Sequence, residues 1–90
     1  MITNFKRTTK EIEAKTEKRL ERAKENIYFL QKDIKEYKEE IKKYPETKEI
    51  MKKRIKETEK EVEIWTIKTE TIQDLLIEIR TIISNNSEGF

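Results

Sequence analysis

Two unbroken heptad repeats constrain the fold of this chain more than any other feature of its sequence. In both, mostly apolar residues recur at alternating steps of three and four. The first repeat comprises Leu20, Ala23, Ile27, Leu30, Ile34, Tyr37, Ile41 and Tyr44. The second comprises Met51, Ile55, Thr58, Val62, Trp65, Thr69, Ile72, Leu76, Ile79 and Ile83. Because this spacing is typical of helices that pack along one face as coiled coils, we predict an all-α fold.

Pro45 lies between the two repeats and is the only proline. Inside a continuous helix it lacks an amide donor and clashes with the carbonyl of Ile41, at a cost of about 3 kcal/mol. We therefore predict one domain with helix 1 at about residues 8–43, a turn at residues 44–47, helix 2 at about residues 48–83 and a flexible tail at residues 84–90. The helices form an antiparallel hairpin. Since the heptad frame continues through the turn, one long helix kinked at Pro45 is the alternative.

The composition favours an ordered protein with a small core. The chain has 90 residues, of which 44% are charged and 33% hydrophobic, and its net charge is +2. Low hydrophobicity is common in disordered chains, but the periodic apolar residues and the small net charge indicate a packed helical protein. Oligomerisation is a common way for so short a chain to bury more apolar surface.

The chain contains neither cysteine nor histidine. Disulfides, thiolate metal sites and cysteine nucleophiles are therefore excluded, and the commonest general base and metal ligand is missing. When the first heptad repeat is continued toward the N-terminus, Glu13 is the only carboxylate at a position of either repeat. No cluster of basic residues suited to an acidic substrate stands out. We predict a protein that is not an enzyme and has no catalytic residue, metal or cofactor.

No segment has the composition of a membrane anchor or a secretion signal. No apolar run approaches the roughly 18 residues that a membrane-spanning helix needs, and the N-terminus lacks a signal peptide's apolar core. We therefore expect a cytoplasmic protein with no membrane partner. The predominance of Lys, Glu and Ile is typical of thermophilic archaeal or viral proteins, and an A/T-rich genome produces the same bias.

The hairpin leaves apolar residues uncovered at the end where the chain termini meet. The residues of the two repeats occupy the a and d positions of the heptad. If each a residue of one helix lies beside a d residue of the other, the numbers of neighbouring residues sum to about 92. Leu76, Ile79 and Ile83 then face only polar residues of helix 1, and further apolar residues flank the repeats on the same side. We predict a homodimer that forms a four-helix bundle. Its predicted interface comprises Ile12, Phe29, Ile64, Leu75, Leu76, Ile79, Ile82 and Ile83.

Two functions fit this pattern. The first is a helical interaction protein (a scaffold, adaptor or small inhibitor) that self-associates through its C-terminal helix, with another protein as a further partner. The second is a nucleic-acid-binding accessory protein, because residues 1–43 hold 13 Lys and Arg against 9 Asp and Glu. Its candidate phosphate contacts are Lys6, Arg7, Lys10, Lys15, Lys18, Arg19 and Arg22. Interleaved glutamates favour the first function, since they indicate a solvated helix surface.

Overall fold

The protein is a hairpin of two long antiparallel helices. The computed structural model describes the backbone of residues 2–88 and the side chains of residues 8–85. Helix α1 spans Ile2–Lys43, a 3-10 turn spans Pro45–Thr47, and helix α2 spans Lys48–Glu88. The helices pack against each other in a rod of 67 × 15 × 15 Å. One continuous helix over residues 2–88 would be about 130 Å long, so the kinked long helix is wrong and the predicted all-α hairpin is confirmed.

Both helices extend further than the sequence predicted. Helix α1 begins at Ile2 instead of about residue 8, and α2 continues to Glu88 instead of ending near residue 83. Residues 84–88 are therefore helical, which corrects the prediction of a flexible tail there, and residues 89–90 lie outside the described part. The extensions run side by side at the open end of the hairpin. Ser and Asn favour a helix less than alanine does, by only a few tenths of a kcal/mol per residue. Packing of the two helix ends against each other outweighs that small cost.

The turn follows from the chemistry of Pro45. Tyr44 leaves the helical region with φ −130° and ψ 80°, because a residue before proline disfavours helical geometry. Pro45 then opens the 3-10 turn, where its missing amide leaves no hydrogen bond unmade. The amide and the hydroxyl of Thr47 both donate to the Tyr44 carbonyl, at 2.9 and 2.7 Å. The reversal of the chain is therefore held by local contacts.

We expect the substitution Pro45→Ala to lower the free energy of unfolding by only about 0.4–1 kcal/mol. Alanine makes the unfolded chain more flexible, but it removes no hydrogen bond of the turn. Urea unfolding at a fixed protein concentration measures the change. A loss above about 3 kcal/mol would contradict this description of the turn, since it would show that the reversal depends on the proline ring.

The core lies along the heptad seam between the helices. Every residue of the second repeat is buried or half-buried, and so is every residue of the first repeat except Tyr44, which is exposed in the turn. Ala23 is the most deeply buried core residue, at 1% exposed, and the pairing places it level with the half-buried Thr69. A pair of small side chains at one level lets the two helices approach closely there.

The seam is also closed at the open end, which corrects one prediction. Leu76 is 3% exposed and Ile79 is 8% exposed within a single chain. The expectation that these two residues are buried mainly between chains is therefore wrong. The polar residue level with Leu76 is Thr16, which is itself buried and donates its hydroxyl to the Ile12 carbonyl at 2.7 Å. Because that hydroxyl is satisfied within its own helix, Thr16 packs in the core without an unmade hydrogen bond.

Candidate interaction surface

The hairpin has two unlike long sides. Beside its buried a and d positions, each helix carries one edge of g and c positions and another of e and b positions, and in an antiparallel pair the g edges share one side. We call that side the g face. Its central residues are Ile12, Arg19, Asn26, Asp33 and Glu40 of α1 and Arg54, Glu61, Lys68, Leu75 and Ile82 of α2. The opposite side, with the e positions of both helices, is the e face.

The central e positions are polar, and ion pairs between described residues cross the hairpin on this face. Arg80 donates from Nε to a carboxylate oxygen of Glu13 at 3.2 Å, and its guanidinium also binds Glu17. Arg80 and Glu17 both occupy e positions, so the ion pair shows which edges of the two helices meet on this side. The Arg80 side chain is half exposed, and each such pair contributes no more than about 1 kcal/mol to stability.

The g face carries apolar side chains that the hairpin does not cover. The exposed fractions are 48% for Ile12, 56% for Phe29, 52% for Ile64, 46% for Leu75 and 49% for Ile82. These five residues were predicted to form an interface, and we call them the apolar strip. Of the other three predicted residues, Leu76 and Ile79 belong to the hairpin core and Ile83 is half-buried in the seam.

The apolar strip has two parts. Ile12, Leu75 and Ile82 form a cluster at the open end, whereas Phe29 and Ile64 lie at mid-length on opposite margins of the g face. Between these parts, the ammonium group of Lys68 lies 4.6 Å from the ring centre of Trp65, a spacing that permits a cation–π interaction. The turn end of the same face is charged. The g face therefore changes from apolar to charged along its length.

Other exposed apolar residues are scattered, with one exception that sequence reasoning missed. Ile67 and Ile77 lie away from the g face, and Ile50 lies at its margin beside the turn. Single apolar residues of this kind are normal on protein surfaces. The exception is Tyr28, whose ring meets that of Phe29 edge to face with centroids 5.4 Å apart. The adjacency of two aromatic residues in the sequence was the available signal.

The candidate phosphate-binding residues do not form one surface. Lys10, Lys15, Lys18, Arg19 and Arg22 are all exposed. Only Lys15, Arg19 and Arg22 share the g face, while Lys18 points to the outer side of α1 and Lys10 belongs to the e face. The side chains of Lys6 and Arg7 lie outside the described residues. The helix therefore brings together three of these seven cations.

Among the described residues, no three acidic side chains converge in a way that could hold a metal ion. A shallow depression of about 470 Å³ on the outer side of α1 is lined by Tyr28, Gln31, Lys32, Lys35, Glu36 and Glu39. It lies on one helix and is open to solvent, unlike the concave pockets that enclose ligands. Neither of the two helices, over the residues described, has an apolar stretch long enough to cross a bilayer.

The hairpin architecture by itself assigns no function, because helical hairpins serve many unrelated roles. Comparisons of the chain with family models, with curated proteins and with solved structures found no match in any of the three.

Proposed function

We propose that this protein is a non-enzymatic helical interaction protein that binds a second copy of itself through the g face, forming a four-helix bundle. The observation that carries the proposal is the apolar strip, whose five side chains are each about half exposed on one side of the hairpin. The central positions of the e face, in contrast, are polar and ion-paired, and exposed apolar residues outside the g face are scattered. Several apolar side chains gathered on one side are the pattern expected of a protein interface.

The shape of the chain supports the same proposal. The hairpin exposes 7488 Å², whereas a compact protein of 11.0 kDa exposes roughly 5,600 Å². Its radius of gyration is 20.0 Å, against about 12 Å for a compact chain of this length. The excess surface of roughly 1,900 Å² exceeds the roughly 800 Å² that each partner buries in a standard interface. A second hairpin along the g face would cover much of this excess.

The proposed dimer serves as a scaffold, an adaptor or a small inhibitor. In a face-to-face bundle the two g faces are covered, while the outer sides and the e faces remain available to another protein. The e faces carry charged residues such as Lys38, Lys52 and Glu59, which suit a polar partner surface. The self-association is therefore the assembly step, and the charged outer surface is the proposed site of any further contact.

Sedimentation equilibrium from low to high micromolar concentration tests the proposal. We expect the measured mass to rise from 11.0 kDa to twice that value as the concentration increases. Thermal unfolding should move to higher temperature over the same range, because association stabilises the folded chain by mass action. A mass that remains that of one chain at every concentration would contradict self-association.

Nucleic-acid binding is the alternative, supported by the placement of Lys15, Arg19 and Arg22 on one side of α1. Fluorescence titrations with duplex DNA and single-stranded RNA at two salt concentrations distinguish it. An affinity that falls steeply with salt, in a protein that sediments as a monomer, would replace the first proposal with the second. No binding at low salt would remove the alternative.

A further inference from the structure

The residues of the g face can be ordered by their height along the hairpin. Both helices rise about 1.5 Å per residue from one turn, so residues whose numbers sum to about 92 are level. Ile82, Ile12 and Leu75 therefore succeed one another at the open end. Arg54 and Glu40 succeed one another at the turn end, beyond Asp33 and Glu61. Any second hairpin on this face meets an apolar end and a charged end.

Symmetry restricts how two copies can pair face to face. A two-fold axis parallel to the rod places like ends together, whereas a perpendicular axis places the open end of one copy on the turn end of the other. The perpendicular axis would set Ile82 against the partner's Arg54 and Leu75 against the partner's Glu61. Burying those charges beside apolar side chains without a partner is costly. The parallel axis instead brings the apolar open ends together.

The parallel axis also pairs residues that one hairpin keeps apart. It places α1 of each copy against α2 of the other. Residues of the two copies whose numbers sum to about 92 are then level, as they are within one chain. Phe29 then meets the partner's Ile64, and Lys15 meets the partner's Glu78. Within one chain, each of these pairs is level but lies on opposite margins of the g face.

Charges on the g face fit the same arrangement only in part. Glu40 comes close to the partner's Arg54, which gives a second kind of oppositely charged pair. Glu36 and the partner's Glu57 also become level, but both side chains are exposed at the margin, where water and salt screen their repulsion. In the same register, Asp33 becomes level with the partner's Glu61, and Arg19 becomes level with the partner's Leu75, so charge alone does not select the orientation. The contact between the two apolar open ends and the pairing of Phe29 with the partner's Ile64 select it.

We infer that the second copy docks with its turn beside the turn of the first, so that α1 of each protomer packs against α2 of the other. This orientation rests on the proposed self-association and deepens it. In this orientation, the open-end cluster of one protomer packs against the same cluster of the partner. Phe29 packs against the partner's Ile64.

A spin label at the turn tests the orientation. Glu46 is exposed in the turn, and the chain has no cysteine, so Glu46→Cys introduces one label per protomer. Every measured distance then joins two chains. For the inferred orientation we expect about 10–30 Å, because packed helices lie 8–10 Å apart and the label tethers add to that spacing.

The other outcomes separate the two proposals. A dimer with a label distance of roughly 60 Å, close to the rod length of 67 Å, would overturn the orientation and leave self-association standing. If the labelled protein shows no distance between chains, and both it and the wild-type protein sediment as monomers, self-association and the orientation are both overturned.

A charge exchange tests the same contact independently. We expect Lys15→Glu to raise the dimer dissociation constant roughly 2–30-fold, because two exposed ion pairs per dimer become repulsive. Glu78→Lys alone should do the same. The double variant should recover the wild-type dissociation constant, since it restores both pairs with reversed sign. A double variant as weak as either single one would overturn the orientation, because Lys15 and Glu78 are not neighbours within one chain.

Discussion

Replacing both Leu75 and Ile82 with glutamate is expected to abolish self-association at micromolar concentrations. Both side chains are about half exposed in the hairpin, so burial of the remainder between chains contributes about 1 kcal/mol for each. A dimer contains four of these side chains, so their loss alone weakens association by about 1,000-fold. The four introduced carboxylates add repulsion where the two open ends meet. Sedimentation equilibrium and concentration-dependent melting measure the effect.

A matched control places the same charges on the other side of the same helix. Thr66 and Gln73 are exposed e-face residues of α2, at heights similar to those of the strip. Thr66→Glu with Gln73→Glu adds two negative charges to α2 but leaves the g face unchanged. We expect this variant to associate nearly as wild type does. Equal losses in both variants would show that negative charge on α2, and not the apolar strip, controls association.

Leu76→Ala is expected to cost about 2–5 kcal/mol of unfolding free energy. Leu76 is almost fully buried within the hairpin, so its truncation removes apolar burial and leaves a cavity. That loss is a large share of the roughly 5–15 kcal/mol that a domain of ordinary stability has. Urea unfolding at one fixed protein concentration measures the loss and keeps the contribution of association comparable between variants.

The neighbouring residue provides the control for this substitution. Ile77 is 55% exposed and lies away from both the seam and the g face. We expect Ile77→Ala to cost less than about 1 kcal/mol, because more than half of its surface stays in water and its truncation leaves no enclosed cavity. Similar losses at both positions would mean that the C-terminal half of α2 does not pack in the seam as described.

The hairpin itself could be predicted because its causes are local and periodic. The heptad spacing determines which residues of each helix are buried, and Pro45 prevents a straight continuation of the first helix. Helix ends were predicted less well. Their extent depends on whether another helix runs alongside, and residues 84–88 are helical despite a composition typical of turns. Propensity alone does not include that tertiary pairing.

The burial of Leu76 and Ile79 was missed for a different physical reason. Thr16 and Glu13 are polar by residue type, which predicts that they are poor neighbours for large apolar side chains. In the structure, the Thr16 hydroxyl bonds within its own helix and the Glu13 carboxylate reaches Arg80. Their polar atoms are satisfied elsewhere, so they tolerate apolar neighbours. A classification of residues as polar or apolar does not show that the polar atoms of a side chain can be bonded elsewhere while its carbon atoms pack in the core.

The candidate surface could be located from the sequence because g and c positions share one side of a hairpin. Five of the eight predicted interface residues lie exposed there. The identity of the occupant does not follow from periodicity, because exposed isoleucine and phenylalanine fit any apolar surface of suitable shape. The position of the apolar cluster at one end of the face supplies the missing specificity. It favours a second copy in the orientation with like ends together.

The solvent accessibility of the Leu75 side chain at rising protein concentration tests self-association through the g face most directly. A water-soluble paramagnetic agent broadens the NMR signals of exposed methyl groups, and Ile77 provides a reference that stays exposed in both the monomer and the proposed dimer. We predict that broadening at Leu75 decreases as the protein is concentrated, while broadening at Ile77 does not change. Equal broadening of the two residues at every concentration would contradict the proposal.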